Sequence, residues 1–293
     1  MKVYRLFVAF TLICFALSPM AQAVVPPPDG VYPGFNTAEG ENALFSLTTG
    51  IWNTALGGNT LFSDTTGVAN TAVGVNALRF NEDGNSNTAV GVQALYSNTT
   101  GDQNCAFGAY ALYLNTASNN TALGWGALFL NTDGTRHTAV GAGALQNCIA
   151  RPDFAGNTAV GTEALFSDTT GNFNTAVGDA ALASNTTGTF NTANGVEALF
   201  SNTTGQNNTA AGANTLILNA TGNSNTANGA FALVRNTTGN NNTATGASAL
   251  FSNTTGHDNT GTGLGALGSN FTGSENTANG SSALGNNFSG DNQ

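Results

Sequence analysis

The chain has 293 residues, 40% of them hydrophobic and only 8% charged, with 38 glycines. Lys2 and Arg5 lie at the extreme N-terminus, so beyond residue 23 four arginines (Arg79, Arg136, Arg151 and Arg235) stand against all sixteen acids, with no lysine. That balance excludes a nucleic-acid surface, which needs clustered Lys and Arg against phosphates. It also excludes lysine-based catalysis, and no later stretch approaches the ~18 apolar residues of a membrane-spanning helix.

Residues 1–23 read as a secretory signal peptide. Lys2 and Arg5 form a positive head, an apolar run extends from Leu6 to Leu17, and Ala21-Gln22-Ala23 offers a small-x-small cleavage site after Ala23. The expected location is therefore secreted or cell surface, and Cys14 leaves with the leader. Residues 24–35 (VVPPPDGVYPGF) form a proline-rich cap or linker, placed to cover a solenoid end that would otherwise be an open edge.

From residue 36 to 293 one pattern dominates. Asn-Thr-Ala-x-Gly, or a close variant, begins fifteen times, at Asn36, Asn53, Asn70, Asn87, Asn104, Asn120, His137, Asn157, Asn174, Asn191, Asn208, Asn225, Asn242, Asn259 and Asn276. The spacing is 17 except for one repeat of 16, starting at Asn104, and one of 20, starting at His137. The consensus is N-T-A-V-G-x-x-A-L-F-S-N-T-T-G-x-x, numbered here as positions 1 to 17. Position 5 is Gly and position 9 is Leu in all fifteen copies. Low charge with much Gly, Asn and Thr would otherwise suggest disorder, but such order points to a repeat architecture.

Seventeen residues are too few for a helix pair and suit one coil of an all-β, parallel β-solenoid (β-roll). Each coil is expected to hold two short strands, Asn-Thr-Ala-Val and Ala-Leu-Phe-Ser, separated by a turn at the invariant Gly and by an Asn-Thr-Thr-Gly turn. One coil buries almost nothing alone, so coils must stack, about 4.8 Å apart, into a rod of roughly 70 Å. Alternation from a buried Leu places the position-10 aromatics (Phe45, Phe62, Tyr96, Tyr113, Phe129, Phe166, Phe200 and Phe251) on the opposite face, where they suit subunit packing better than ligand contact.

No catalytic, cofactor-binding or metal-binding residue is assigned. His137 and His257 read as surface substitutions. Glu163 and Asp179, at positions 7 and 6 of adjacent repeats, are the nearest thing to a glycosidase carboxylate pair but fit a solvated face better. There is no Cys/His metal cluster and no phosphate loop. Cys105 and Cys148 would be free to pair in an oxidising compartment, though they occupy different points of the repeat. The excess at 146–156 (QNCIARPDFAG) must bulge from the rod as a tolerated loop rather than a recognition loop. Asn98, Asn185, Asn202, Asn236 and Asn253 each open N-T-T, formally a glycosylation acceptor, but their periodicity fits turn chemistry. Ice binding would want Thr-x-Thr on a strand. Only Thr243/Thr245 and Thr260/Thr262 supply it, which argues against that function.

The repeated Asn-Thr-Ala-Val-Gly, across about residues 36–292, resembles the head repeats of trimeric autotransporter adhesins (YadA-like heads), and similar Asn-Thr-Ala-x-Gly-x-x-Ala-Leu arrays resemble phage tail-fibre-like proteins. The head repeat is usually shorter than seventeen, and no heptads, neck or membrane strands are visible. The resemblance implies a left-handed parallel β-roll, a homotrimer and binding to a host surface, matrix protein or glycan. It also implies that positions 2 and 4 point into the roll. Position 4 is apolar in repeats 2–9 (Leu56, Val73, Val90, Phe107, Leu123, Val140, Val160, Val177) and Asn, Ala or Thr in repeats 10–15. It is either a core that changes character along the rod or an outward stripe that seals a trimer seam. The functional expectation is a secreted, non-enzymatic, adhesin-like rod or extracellular structural protein, with a tail-fibre-like carbohydrate-binding rod as the alternative and an ice-binding solenoid as the less favoured one.

Overall fold

The computed structural model describes residues 33–149 and 156–293. The expected signal peptide, most of the proline-rich segment and the tip of the 146–156 excess lie outside the described residues. The described chain is an all-β solenoid. Fifteen three-residue strands, from β1 (Thr37–Glu39) through β10 (Thr192–Asn194) to β15 (Thr277–Asn279), stack in sequence order as one parallel sheet. Each strand pairs with the next in the same register, Thr to Thr and Ala to Ala. The 20-residue repeat keeps that register too, Thr138 facing Thr158, so its three extra residues leave the stack undisturbed.

Each coil has one strand, not the two expected. Ala-Leu-Phe-Ser is a run of turns, because the conserved Leu sits in the left-handed region in every coil, from φ 47° at Leu61 to 54° at Leu199. Position 7 shares that sign in every coil. A strand cannot continue through such residues, and the chain bends around the Leu instead. For a residue with a Cβ this conformation costs ~1–2 kcal/mol, offset by complete burial of the Leu side chain, worth ~1.5–3 kcal/mol. Inter-coil bonding does not need a second strand. Around the coil, backbone N–H groups of Thr54, Leu61, Ser63 and Thr65 donate to the next coil (Asn70, Ala77, Arg79 and Glu82 carbonyls), while those of Gly57, Asn59 and Ala69 donate to the preceding one.

The core is narrow: Ala (or Gly261) at position 3, Ala or Thr at position 8, and Leu at position 9, buried in every coil but the two at the ends, where Ala38, Ala43 and Ala283 are half-buried and Leu284 is exposed. Where Thr replaces Ala, its hydroxyl donates to a glycine carbonyl, Thr60 to Gly57 and Thr215 to Gly229. Positions 2 and 4 point outward, contrary to the expectation drawn from the resemblance. In a three-residue strand only one parity can face in, and buried Ala at position 3 takes it, since a single Leu per coil leaves room for no larger side chain there. Position 5 explains its invariance. Its φ runs from 121° to 145°, and a Cβ at Gly229 would lie 2.6 Å from the Gly246 carbonyl carbon of the next coil.

Two asparagine ladders flank the core and replace the polar edge expected of the Asn-Thr-Thr turns. At position 1, Asn53 Oδ1 accepts from the Asn70 N–H of the next coil. At position 12, Asn98 Nδ2 donates to Asn81 Oδ1 of the coil before. Within a coil both side chains converge on one carbonyl, that of the position-15 Gly: Asn70 and Asn81 both donate to Gly84. The 16-residue repeat has lost that Gly, and Asn104 and Asn115 converge on Ala117 instead.

The position-12 ladder has a direction, and its irregularities follow from it. Each Asn donates toward the N-terminus and accepts from the C-terminal side. The first member therefore has no acceptor ahead of it, and an aspartate, which only accepts, serves there. Asp64 follows Leu47, and Asp168 follows Cys148. Asp64 accepts from Asn53 and Asn81, and Asp168 from Asn157 and Asn185. Between the two runs Cys148 stands where other coils have Asn, and Asn131 Oδ1, the last acceptor of the first run, is buried without a hydrogen-bond partner.

Candidate functional site

Among the described residues the titratable side chains are spread along the rod. His137, expected at the surface, is buried in the position-1 ladder. Its Nδ1 accepts from the Asn157 N–H at 3.2 Å, as an Asn Oδ1 would, and its Nε2 lies 3.7 Å from Cys148 Sγ. Both residues belong to the repeat that lacks the Asn-Thr-Thr-Gly turn. Burial lowers His137 to a pKa of about 4. Burial also raises Asp64 to about 6 and Asp168 well above the usual carboxylate range, against the hydrogen bonds that favour their charged forms.

His257 is at the surface, as expected, 2.7 Å from the Asp258 carboxylate, which this hydrogen bond holds below its ordinary pKa. Glu163 and Asp179 are both exposed, in keeping with a solvated face. Cys105 lies on the outward side of β5 (Cys105–Phe107) and Cys148 inside the rod; the structure does not join them. Asn98, Asn185, Asn202, Asn236 and Asn253 are fully buried, so their N-T-T sequences serve the ladder. Among the described residues no group of three or more His, Cys, Asp or Glu could hold a metal, and no helix is long and apolar enough to cross a membrane.

What the fold assembles is a surface. Positions 2 and 4 of fifteen strands form two parallel columns along one side of the rod. Position 2 is Thr in every coil except at Cys105, and beyond Glu39 neither column holds a charged residue. The face has two zones. In β2 (Thr54–Leu56) to β9 (Thr175–Val177), position 4 is a continuous apolar column, with Leu56, Phe107, Leu123 and Val177 exposed. In β10 to β15 it is Asn194, Ala211, Asn228, Thr245, Thr262 and Asn279, nearly all exposed.

A second column runs along position 10. Phe45 and Phe62 stack at 5.2 Å, and Tyr96, Tyr113 and Phe129 stack at 5.1 and 5.0 Å. Arg79, the position-10 residue between these groups, lies 5.7 Å over the Phe62 ring and 5.4 Å over Phe80. The expected placement away from the core holds: Phe45 is exposed and the Tyr96, Tyr113 and Phe129 rings are half-buried. Comparison with family models, curated proteins and solved structures finds no match.

Proposed function

We propose that the chain is a secreted, non-enzymatic repeat rod of the adhesin-like kind, which self-associates, as a trimer, and presents the remainder of its length to an extended surface. The apolar column from Leu56 to Val177 carries this reading. An uncharged row of Leu, Val and Phe eight coils long is the kind of exposed apolar strip that marks an interface, and on a chain of net charge −10 its freedom from charge removes the usual obstacle to association of like molecules. The non-enzymatic reading draws support from the titratable groups: the buried ones serve ladders, and the exposed ones lie scattered over turns.

Light scattering on the purified secreted chain tests the proposal. A trimer is expected, falling to monomer in Val90→Glu/Val140→Glu, while a folded monomeric wild type would overturn it. The aromatic column favours a second reading, the tail-fibre-like one, because the half-buried stack of Tyr96, Tyr113 and Phe129 forms a continuous aromatic strip with two phenol groups, along which an extended glycan can lie. Glycan-array binding lost in Tyr96→Ala/Tyr113→Ala would support it.

A further inference from the structure

The side-chain hydrogen bonds of this molecule are distributed unevenly. Almost every buried Asn is saturated, and turn threonines such as Thr186 and Thr203 donate to carbonyls of the next coil. The strand threonines differ. From Thr192 to Thr277, none of the position-2 hydroxyls has a hydrogen-bond partner among the described residues, nor do the side chains of Asn194, Asn228, Asn279, Thr245 and Thr262 at position 4, although hydrogen bonds are made on every other side of the coil. Six consecutive strands therefore present eight threonines and three asparagines whose side chains make no hydrogen bond to the described residues.

The spacing of those groups is fixed by the fold. Strand pairing repeats them every ~4.8 Å along the rod, and residues two apart on a strand stand ~6.6–7 Å apart across it, giving a rectangular array roughly 24 Å long. The exposed ones are held by a backbone whose every coil repeats the same register and φ pattern, so the array is rigid before anything binds. Threonine adds a methyl beside each hydroxyl, alternating apolar and hydrogen-bonding points, and as a β-branched residue it keeps one preferred χ1. No charged side chain interrupts the array to impose its own hydration.

We infer that the β10–β15 face binds ice, the ordered lattice of water itself. A ligand for this face has to be uncharged, repetitive along one axis at the strand spacing, and able to both donate and accept hydrogen bonds at every repeat. The surface of hexagonal ice meets all three, with oxygen repeats close to the strand spacing, and the rigid array loses little entropy on binding. This reverses the expectation from the sequence, where the Thr-x-Thr test was applied to a position 4 taken as apolar or buried. Outward Thr-x-Asn and Thr-x-Thr strands fill five of six successive coils, with Thr209-Ala210-Ala211 as the one Thr-x-Ala. The inference shares with the proposed function only the outward orientation of positions 2 and 4. It uses the zone that the trimer seam leaves open.

The test is ice growth in the presence of the full secreted chain, read as thermal hysteresis and as the shape of a single ice crystal. The wild type is expected to depress the growth temperature and facet the crystal. Thr226→Tyr/Thr243→Tyr/Thr260→Tyr, which adds bulk only at outward positions, is expected to lose both with its far-UV circular dichroism unchanged. Val90→Glu/Val140→Glu is expected to keep them. A folded wild type that leaves ice growth unshaped would overturn the inference, as would a Tyr variant as active as wild type. Light scattering on the same samples reads the seam separately: ice shaping by a monomer sinks the trimer and leaves this inference standing, and a trimer without ice shaping does the reverse.

Discussion

Replacing Gly229 by Ala separates the two reasons for glycine at position 5. The residue has φ 135°, and an added Cβ would lie 2.6 Å from the Gly246 carbonyl carbon, 2.7 Å from its oxygen and 2.9 Å from the Ala247 nitrogen. These are backbone atoms of the next coil, bonded on both sides, and nothing flexible can yield. Carbon contacts are optimal near ~3.5–4.0 Å, so the coils have to separate by about 1 Å where the Gly246 N–H donates to the Asn228 carbonyl at 2.8 Å. The backbone strain costs ~1–3 kcal/mol and the overpacking another ~1–3 kcal/mol. The entropy lost by the unfolded chain returns ~0.4–1 kcal/mol. A net destabilisation of roughly 1–6 kcal/mol is expected. Gly280, in the last coil, has a comparable φ of 128° but only the Ala283 side chain near an added Cβ, at 3.9 Å. Gly280→Ala therefore carries the strain without the clash and should cost ~1–3 kcal/mol less than Gly229→Ala. Urea unfolding followed by circular dichroism measures both, with native-state hydrogen exchange locating the loosened coils, since repeat arrays need not unfold in one step. Equal destabilisation by the two substitutions would refute stacking as the source of the invariance.

Asp64 and Asp168 give a pH prediction of definite sign. Their folded pKa values lie above the unfolded ones because burial disfavours the carboxylate, so the folded chain holds more protons and these groups stabilise it progressively as pH falls from 7 toward the unfolded values near 4. Asp168→Asn, which restores the consensus residue, should raise the urea midpoint at pH 7, with the gain shrinking by pH 5. A gain independent of pH would show that charge is not its cause. His137 acts in the opposite sense: buried neutral with a pKa near 4, it favours the fold above about pH 6.5 and loses that contribution as pH falls toward 4. His137→Gln should therefore flatten the loss of stability between pH 6.5 and 4, and an unchanged slope would remove the assignment. Leu216→Ala, at a fully buried left-handed position, should cost ~2–5 kcal/mol, whereas the outward Thr209→Ala in the same coil should stay within about ±0.5 kcal/mol; similar costs would contradict the assigned core. Expressed in a glycosylating host, the chain should carry no glycan at Asn202, which mass spectrometry of the peptide reads directly.

The coil length, the parallel stack and the tight turn at Gly were legible in the repeat, because glycine at a fixed phase in fifteen copies has few physical explanations. The second strand was misread. Ala-Leu-Phe-Ser looks extended by residue type, and nothing in a leucine announces a left-handed φ, which tertiary packing imposes. The inward assignment of positions 2 and 4 failed for a related reason. It came from the resemblance, whereas in this chain Thr-Ala-Val sets an Ala against a Thr/Val pair and the space left beside one Leu per coil decides for Ala. The ladder signal was present and unused: Asp64 and Asp168 each follow a coil whose position 12 is not Asn, a correlation that only a directional chain of amides explains. His137 was taken for surface variation because position 1 had not been recognised as interior.

Spin labels placed on adjacent coils give the most direct test of the outward, in-register sheet. With Cys105 replaced by Ser, nitroxides at Asn194→Cys, Ala211→Cys and Asn228→Cys would stand on three successive strands, facing solvent, about 4.8 Å apart. At that separation the room-temperature spectrum should collapse to a single exchange-narrowed line. Three resolved lines of independent labels, or failure of these positions to label in the folded chain, would contradict the architecture on which every functional reading here depends.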